Sequence, residues 1–258
     1  MPITDPELAL AAAEAGAVVV RSRYGGPLER FDKGAGDFAT AADIEAEKAI
    51  LEVLRAARPG DAVLGEETGL TGVEGTQRVW MVDPLCGTLN FAARTPLVAV
   101  NVALRDGGVV TAAASVDPLA GEAFWTDGAG ALLRFGGVDE PLAASAATAL
   151  VEINVDPPYG SEQALRLMAD PRFGERFRPR VISTTLGLAW LAAGRRAAYL
   201  TAGDLRDNVH FAAGLALCEA AGCVITDLNG DPLHSGPASG LLASADSGTH
   251  QAILELLR

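Results

Sequence analysis

The chain predicts a mixed α/β fold, one domain over residues 1–258 made of two halves with different rhythms. Between about residues 97 and 133, apolar runs are separated by Asp106-Gly-Gly, Asp117-Pro and Asp127-Gly, the pattern of an antiparallel meander. From about residue 141 the pattern changes to strands and helices in alternation. At 258 residues, 49% hydrophobic and 21% charged, the chain has ample material for a core. The halves divide near 1–140 and 141–258.

In chain order, Thr4 or Asp5 caps a helix to about Tyr24 that buries Leu8, Ala12, Ala15 and Val19. Lys33 to Asp43 reads as a loop feeding a helix that runs to about Ala57. Ala62 to Thr68 is a short strand ending in Glu66 and Glu67. Val79 to Val82 is a buried strand that ends by delivering Asp83, because Pro84 has no N–H for the ladder. Gly87 permits a sharp turn, and Thr88 is placed to cap a following helical turn. Strands are expected at 97–104, 109–116, 122–125 and just after Asp127, with Phe124 and Trp125 in the core. Beyond them come a strand at 150–155, a helix at 161–169, a strand at 180–183, a helix at 186–194 and a strand at 197–200. A helix beginning near Asn208, a polar loop at 231–239, a strand at 240–244 and a helix at 249–257 complete the chain.

The stretch around Asp83 gathers a carboxylate, a thiol and a hydroxyl near a helix start, which suits a metal and a phosphate. On the residues alone, a plain strand-to-helix corner reads equally well. Asp83, Pro84, Leu85, Gly87, Thr88, Asn90 and Phe91 resemble the Asp-Pro-Ile/Leu-Asp-Gly-Thr-x-Asn-Phe signature of the inositol monophosphatase family. Lys33, Asp37, Thr40 and Asp43 resemble its Lys-x-x-x-Asp-x-Val-Thr-x-x-Asp segment, and Gly65-Glu66-Glu67 its Gly-Glu-Glu strand end. Asn208 to Gly230 is similar to its Trp-Asp-x-Ala-Ala-Gly helix and the strand that follows. The departures include Cys86, which stands where the family has its second aspartate, His210, where it has a metal-binding aspartate, and Val209, where it has tryptophan.

The resemblance implies the family's layered αβαβα sandwich, a homodimer, and magnesium-dependent hydrolysis of small phosphate monoesters. It implies metal ligation by Glu66, Asp83 and the Leu85 carbonyl, with Cys86 and His210 at the two altered ligand positions. Thr88 and Asp43 would position the attacking water, and Gly87 and Thr88 would face the phosphate. Magnesium wants hard oxygen ligands, so Cys86 and His210 argue for zinc or another transition ion, or for no metal at all. His210 at a helix start favours neutral imidazole, and Cys86 near another is biased toward thiolate. Three readings follow: a phosphatase with altered metal preference, a scaffold using Cys86 and His210 for other chemistry, or a binding protein without turnover.

A net charge of −13 argues against nucleic-acid and anionic-membrane partners, and the resemblance implies a small, phosphorylated molecule as the ligand. Three cysteines, Cys86, Cys218 and Cys223, make no paired framework and fit a reducing cytoplasm. The N-terminal stretch lacks the basic and apolar regions of a signal peptide.

Overall fold

The computed structural model describes every residue except 1, 35–36, 74, 157–158, 206–207 and 234–239, and omits the side chains of 33, 34 and 37. The Lys33 and Asp37 matches and much of the loop expected at 231–239 therefore lie outside the described residues.

The N-terminal half begins with α1 (Asp5–Arg23), then β1 (Arg30–Gly34), β2 (Asp37–Thr40) and α2 (Ala41–Ala57). Capping boxes start both helices, Thr4 with Glu7 and Thr40 with Asp43. Next come β3 (Ala62–Gly65), β4 (Gly69–Gly72), β5 (Arg78–Cys86) and the one-turn α3 (Thr88–Ala92). The meander follows as β6 (Ala99–Asp106), β7 (Val109–Asp117), β8 (Glu122–Thr126), β9 (Ala131–Phe135) and β10 (Val138–Pro141). One sheet takes these strands in the order β10-β9-β8-β7-β6-β5-β3-β4.

The second half holds β11 (Leu150–Asn154), α4 (Glu162–Ala169), α5 (Pro171–Arg176), β12 (Arg178–Val181) and α6 (Leu186–Ala192). It continues through β13 (Ala198–Thr201), α7 (Val209–Ala220), β14 (Val224–Thr226), β15 (Leu241–Ser244) and α8 (Ser247–Leu257). Its sheet runs β12-β11-β13-β15-β14, parallel from β12 to β13 and antiparallel beyond.

Strand alternation builds the layers. Trp80, Val82, Val102, Leu104, Ala112 and Ala114 pack with α1 and α2, while Met81, Ala103 and Ala113 on the opposite face meet Ala212, Ala213 and Ala216 of α7. Alanine on both surfaces lets α7 lie close to the large sheet. Tyr199, Leu241 and Ala243 of the second sheet pack on α6 and α7; Ile153, Leu200 and Leu242 pack on α4, α5 and α8. The result is an αβαβα sandwich, as the family resemblance implies.

Several details differ from the sequence reading. Strands β1 and β2 pair antiparallel, Arg30 opposite Thr40, where the sequence reading has a loop from Lys33 to Asp43. β5 does not stop at Asp83: the ladder is interrupted over 84–85 and resumes at Cys86, opposite Ala99. Proline removes one donor, and the bulge absorbs that loss. Strands β4 and β10 and helix α5 were not foreseen. On α1, Leu8 and Ala12 are buried as expected, but Ala9, Ala13, Gly16, Ala17 and Val20 complete the inner face, with Ala15 and Val19 at its edge. A Cβ on Gly16 would come within 2.7 Å of Ile50 Cδ1, so glycine sets the α1–α2 approach. Phe124 is fully buried, whereas Trp125 is only half-buried and bonds Asp139 through its indole N–H. Among the described residues no helix is long and apolar enough to cross a membrane.

Candidate active site

The site forms where four elements end. β3 runs into the turn carrying Glu66, and β5 carries Asp83, Leu85 and Cys86 into Gly87 and α3. α2 presents Asp43 in its first turn, and α7 presents His210 in its own. Asp83 has no solvent exposure and His210 and Glu66 are half-buried. The donor atoms of these three residues lie within 4.8 Å of one another. His210 Nδ1 stands 2.8 Å from Asp83 Oδ2 and 3.9 Å from Glu66 Oε2.

Asp83 is held on every side. Its Oδ1 accepts the Leu85 N–H at 3.1 Å, and its Oδ2 faces His210 and the Asn101 amide, 3.5 Å away. Burial alone would raise its pKa. The positive charge and hydrogen bond of His210, with help from Glu66 and Asn101, outweigh burial and hold it below the usual carboxylate value.

Asp43 forms a second centre. Its Oδ2 accepts the Thr40 N–H at 2.8 Å and hydroxyl at 2.5 Å, and its Oδ1 accepts the Thr88 hydroxyl at 3.0 Å. Burial is the largest influence and pushes Asp43 up to about 6, against the lowering effect of the bonds from Thr40 and Thr88. The same carboxylate thus caps a helix and serves Thr88. Thr88 itself is not a cap: Gly87 holds that place, and the hydroxyl shares its hydrogen between Asp43 and the Leu85 carbonyl, 3.2 Å away. Gly87 has φ 95°, and a Cβ there would meet the Leu97 carbonyl oxygen at 2.7 Å.

Cys86 does not join Glu66, Asp83 and His210. Its buried sulfur accepts the Thr185 N–H at 3.2 Å and the Thr185 hydroxyl at 3.1 Å, and Thr185 Oγ1 accepts from Asn101 at 2.9 Å. Burial, reinforced by the nearby Asp83 charge, drives the thiol pKa far above its ordinary value, despite the two bonds from Thr185. The expected bias toward thiolate is therefore reversed, because desolvation and a neighbouring anion outweigh a short helix start. Thiol and imidazole also serve different partners, Thr185 and Asp83, rather than each other.

The sequence reading missed three contributors. Glu47, only 1% exposed on α2, accepts the backbone N–H groups of Glu67 at 2.8 Å and Thr68 at 2.9 Å and so fixes the turn carrying Glu66. A Cβ on Gly65 would lie 2.7 Å from that carboxylate. Asn101, opposite Asp83 in the β5–β6 register, links Asp83 to Thr185. Thr185 anchors Cys86. One signal was available: Glu47 follows Asp43 by four residues on a helix whose neighbouring Ala46 and Ile50 face the core.

The three-residue group has the donor types and the spacing that could hold a divalent ion. In octahedral coordination, ligand bonds of about 2.0–2.1 Å put two donors about 2.9 Å apart at a right angle and about 4.1 Å apart across the ion. The observed 2.8 and 3.9 Å sit at these limits. Two carboxylates and an imidazole suit zinc, manganese, iron or cobalt better than magnesium.

The sequence model described as "Inositol monophosphatase family" matches residues 3–258. An inositol-1-monophosphatase of Caulobacter vibrioides is 36% identical over 248 residues, covering 90% of this chain and 91% of that protein. The Nus factor SuhB of Escherichia coli K12 is 32% identical and covers 97% of this chain and 94% of its own length. A crystal structure of the extragenic suppressor protein suhB from Bartonella henselae superposes with a TM-score of 0.86 at 26% identity, covering 97% of each chain.

Proposed function

The chain belongs to the inositol monophosphatase family, and on that premise we propose that it is a metal-dependent phosphomonoesterase with an altered metal preference. Its substrate is a small sugar, inositol or nucleotide-like phosphate. The observation that carries the reading is the Thr88–Asp43 pair beside the Glu66, Asp83 and His210 group.

Glu66, Asp83 and His210, with the Leu85 carbonyl, would hold a divalent cation, which when bound would draw charge from the phosphoryl oxygens. Thr88 spends its hydrogen on Asp43 or the Leu85 carbonyl, so its oxygen is left to accept one from a water. Ionised Asp43 fixes that orientation and sets the direction from which the water reaches phosphorus. Gly87 and Thr88, at the start of α3, supply N–H groups of the kind that receive phosphate. Asn208 holds the entry of α7, accepting the His210 N–H at 2.9 Å and donating to the Tyr159 hydroxyl at 3.0 Å. The same reading takes the working protein as a homodimer.

The test is hydrolysis of a panel of small phosphate monoesters in the presence of magnesium, manganese, cobalt or zinc. The proposal expects turnover that needs a divalent ion, peaks with a transition ion, and falls at least on the order of a hundredfold in Thr88→Ala. Absence of turnover with every ion and ester would refute it.

A further inference from the structure

We propose that Glu66, Asp83 and His210 form a one-ion site for a divalent transition cation, and that Cys86 stands outside its shell as part of a hydrogen-bonded wall. The inference rests on the metal-dependent reading above and fixes the number of ions and their ligands.

Three observations carry it. The first is the spacing of donors. His210 Nδ1 is 2.8 and 3.9 Å from oxygens of Asp83 and Glu66, separations that one ion spans with ordinary bond lengths. Among the described residues this is the only group of three or more candidate side chains brought so close. A second tightly held ion would have to share its members.

The second observation is what occupies the other side of Asp83. Cys86 Sγ accepts both the N–H and the hydroxyl of Thr185; that hydroxyl oxygen accepts from Asn101, and Asn101 Nδ2 is also 3.5 Å from Asp83 Oδ2. Asp83, Asn101, Thr185 and Cys86 are all buried. Their contacts run from carboxylate to amide to hydroxyl to sulfur, so protein groups line the space beside Asp83, with the Asn101 Oδ1 oxygen left without a hydrogen-bond partner. A thiolate ligand there would add a buried negative charge beside Asp83 in place of this neutral chain.

The third is chemical matching. Two carboxylates, one of them fully buried, concentrate negative charge that a single divalent ion balances, and the imidazole adds a neutral borderline donor. An imidazole at His210 brings no negative charge to hold a further ion. His210 and Cys86 therefore do different work: one becomes a ligand, the other is part of the wall.

Cobalt is the probe. The metal-free protein is titrated with Co²⁺ by calorimetry while the absorption spectrum is recorded, then compared with Cys86→Ser and His210→Ala. One tight equivalent is expected, with visible d–d bands and without a sulfur-to-cobalt charge-transfer band that depends on Cys86. Cys86→Ser should keep the stoichiometry and hold the affinity within about twofold, while His210→Ala should weaken binding on the order of tenfold or more. Two tight equivalents, a charge-transfer band that disappears in Cys86→Ser, or no tight cobalt at all would overturn the assignment. The wild-type spectrum decides on sulfur ligation even if a variant fails to fold. Ester turnover in the same samples separates the two claims. Two ions with turnover would overturn only the one-ion site, whereas one ion without turnover would support it and refute the phosphatase.

Discussion

Replacing Glu47 should loosen the site without touching it. The carboxylate is 1% exposed and its oxygens accept two N–H groups, from Glu67 at 2.8 Å and Thr68 at 2.9 Å. Hydrogen bonds to a charged group contribute roughly 1.5–3 kcal/mol each. Glu47→Gln keeps the shape and one accepting oxygen, but sets an NH₂ against the other donor. Its cost should be about one such bond, roughly 1.5–3 kcal/mol, and Glu47→Ala should cost about 3–5 kcal/mol. Because the turn it fixes carries Glu66, cobalt affinity should fall about 10- to 100-fold in Glu47→Gln, the usual consequence of removing support behind a ligand. Urea unfolding measures the first effect and calorimetric titration the second. A core variant remote from the turn, Leu167→Ala on α4, provides the control: similar destabilisation with unchanged affinity. The reasoning fails if Glu47→Gln changes stability by less than about 0.5 kcal/mol, or if its affinity loss is matched by Leu167→Ala.

Other expectations follow from the same geometry. Asp43 has a folded pKa of about 6 against an ordinary 3.8, so the folded state binds its proton more tightly and stability falls as pH rises between these values. The span corresponds to about 3 kcal/mol, and Asp43→Asn should flatten the pH-dependence of urea unfolding across that window. Turnover, which needs the ionised carboxylate, should decline in the wild type as pH drops through about 6. Gly87→Ala places a side chain at φ 95° and within 2.7 Å of the Leu97 carbonyl, and should cost at least about 1–2 kcal/mol in unfolding experiments together with most activity. Light scattering on the purified protein should give twice the chain mass of 26.5 kDa. A mass of one chain would remove the dimer from the account.

The layers were legible because each rests on a local signal repeated many times. Alternating residues such as Trp80, Met81 and Val82 announce a strand with two covered faces, and Ala212-Ala213-Gly214 announces a helix in close contact. A Cβ on Gly214 would lie 2.7 Å from Leu188, as that reading requires. The bulge at Pro84 was less legible: proline marks a missing donor, but pairing beyond it depends on Ala99, thirteen residues downstream of Cys86. The side-chain network was hidden for a similar reason. Cys86 is tied to Thr185, ninety-nine residues away, and Glu47 reaches Glu67 and Thr68 across a turn; neither contact leaves a periodic trace. Residue type pointed Cys86 toward a metal, while its surroundings give it to Thr185.

The most direct measurement determines ion occupancy and turnover together. Protein stripped with a chelator is reloaded in steps with cobalt, manganese, zinc or magnesium, and bound ion and hydrolysis of one phosphate monoester are read from each sample. The account predicts no turnover in the stripped protein, a rise proportional to occupancy that is complete at one ion per chain, and a shift of both to at least about tenfold higher ion concentration in His210→Ala. Full turnover by the stripped protein, or by His210→Ala with its site unfilled, would contradict it.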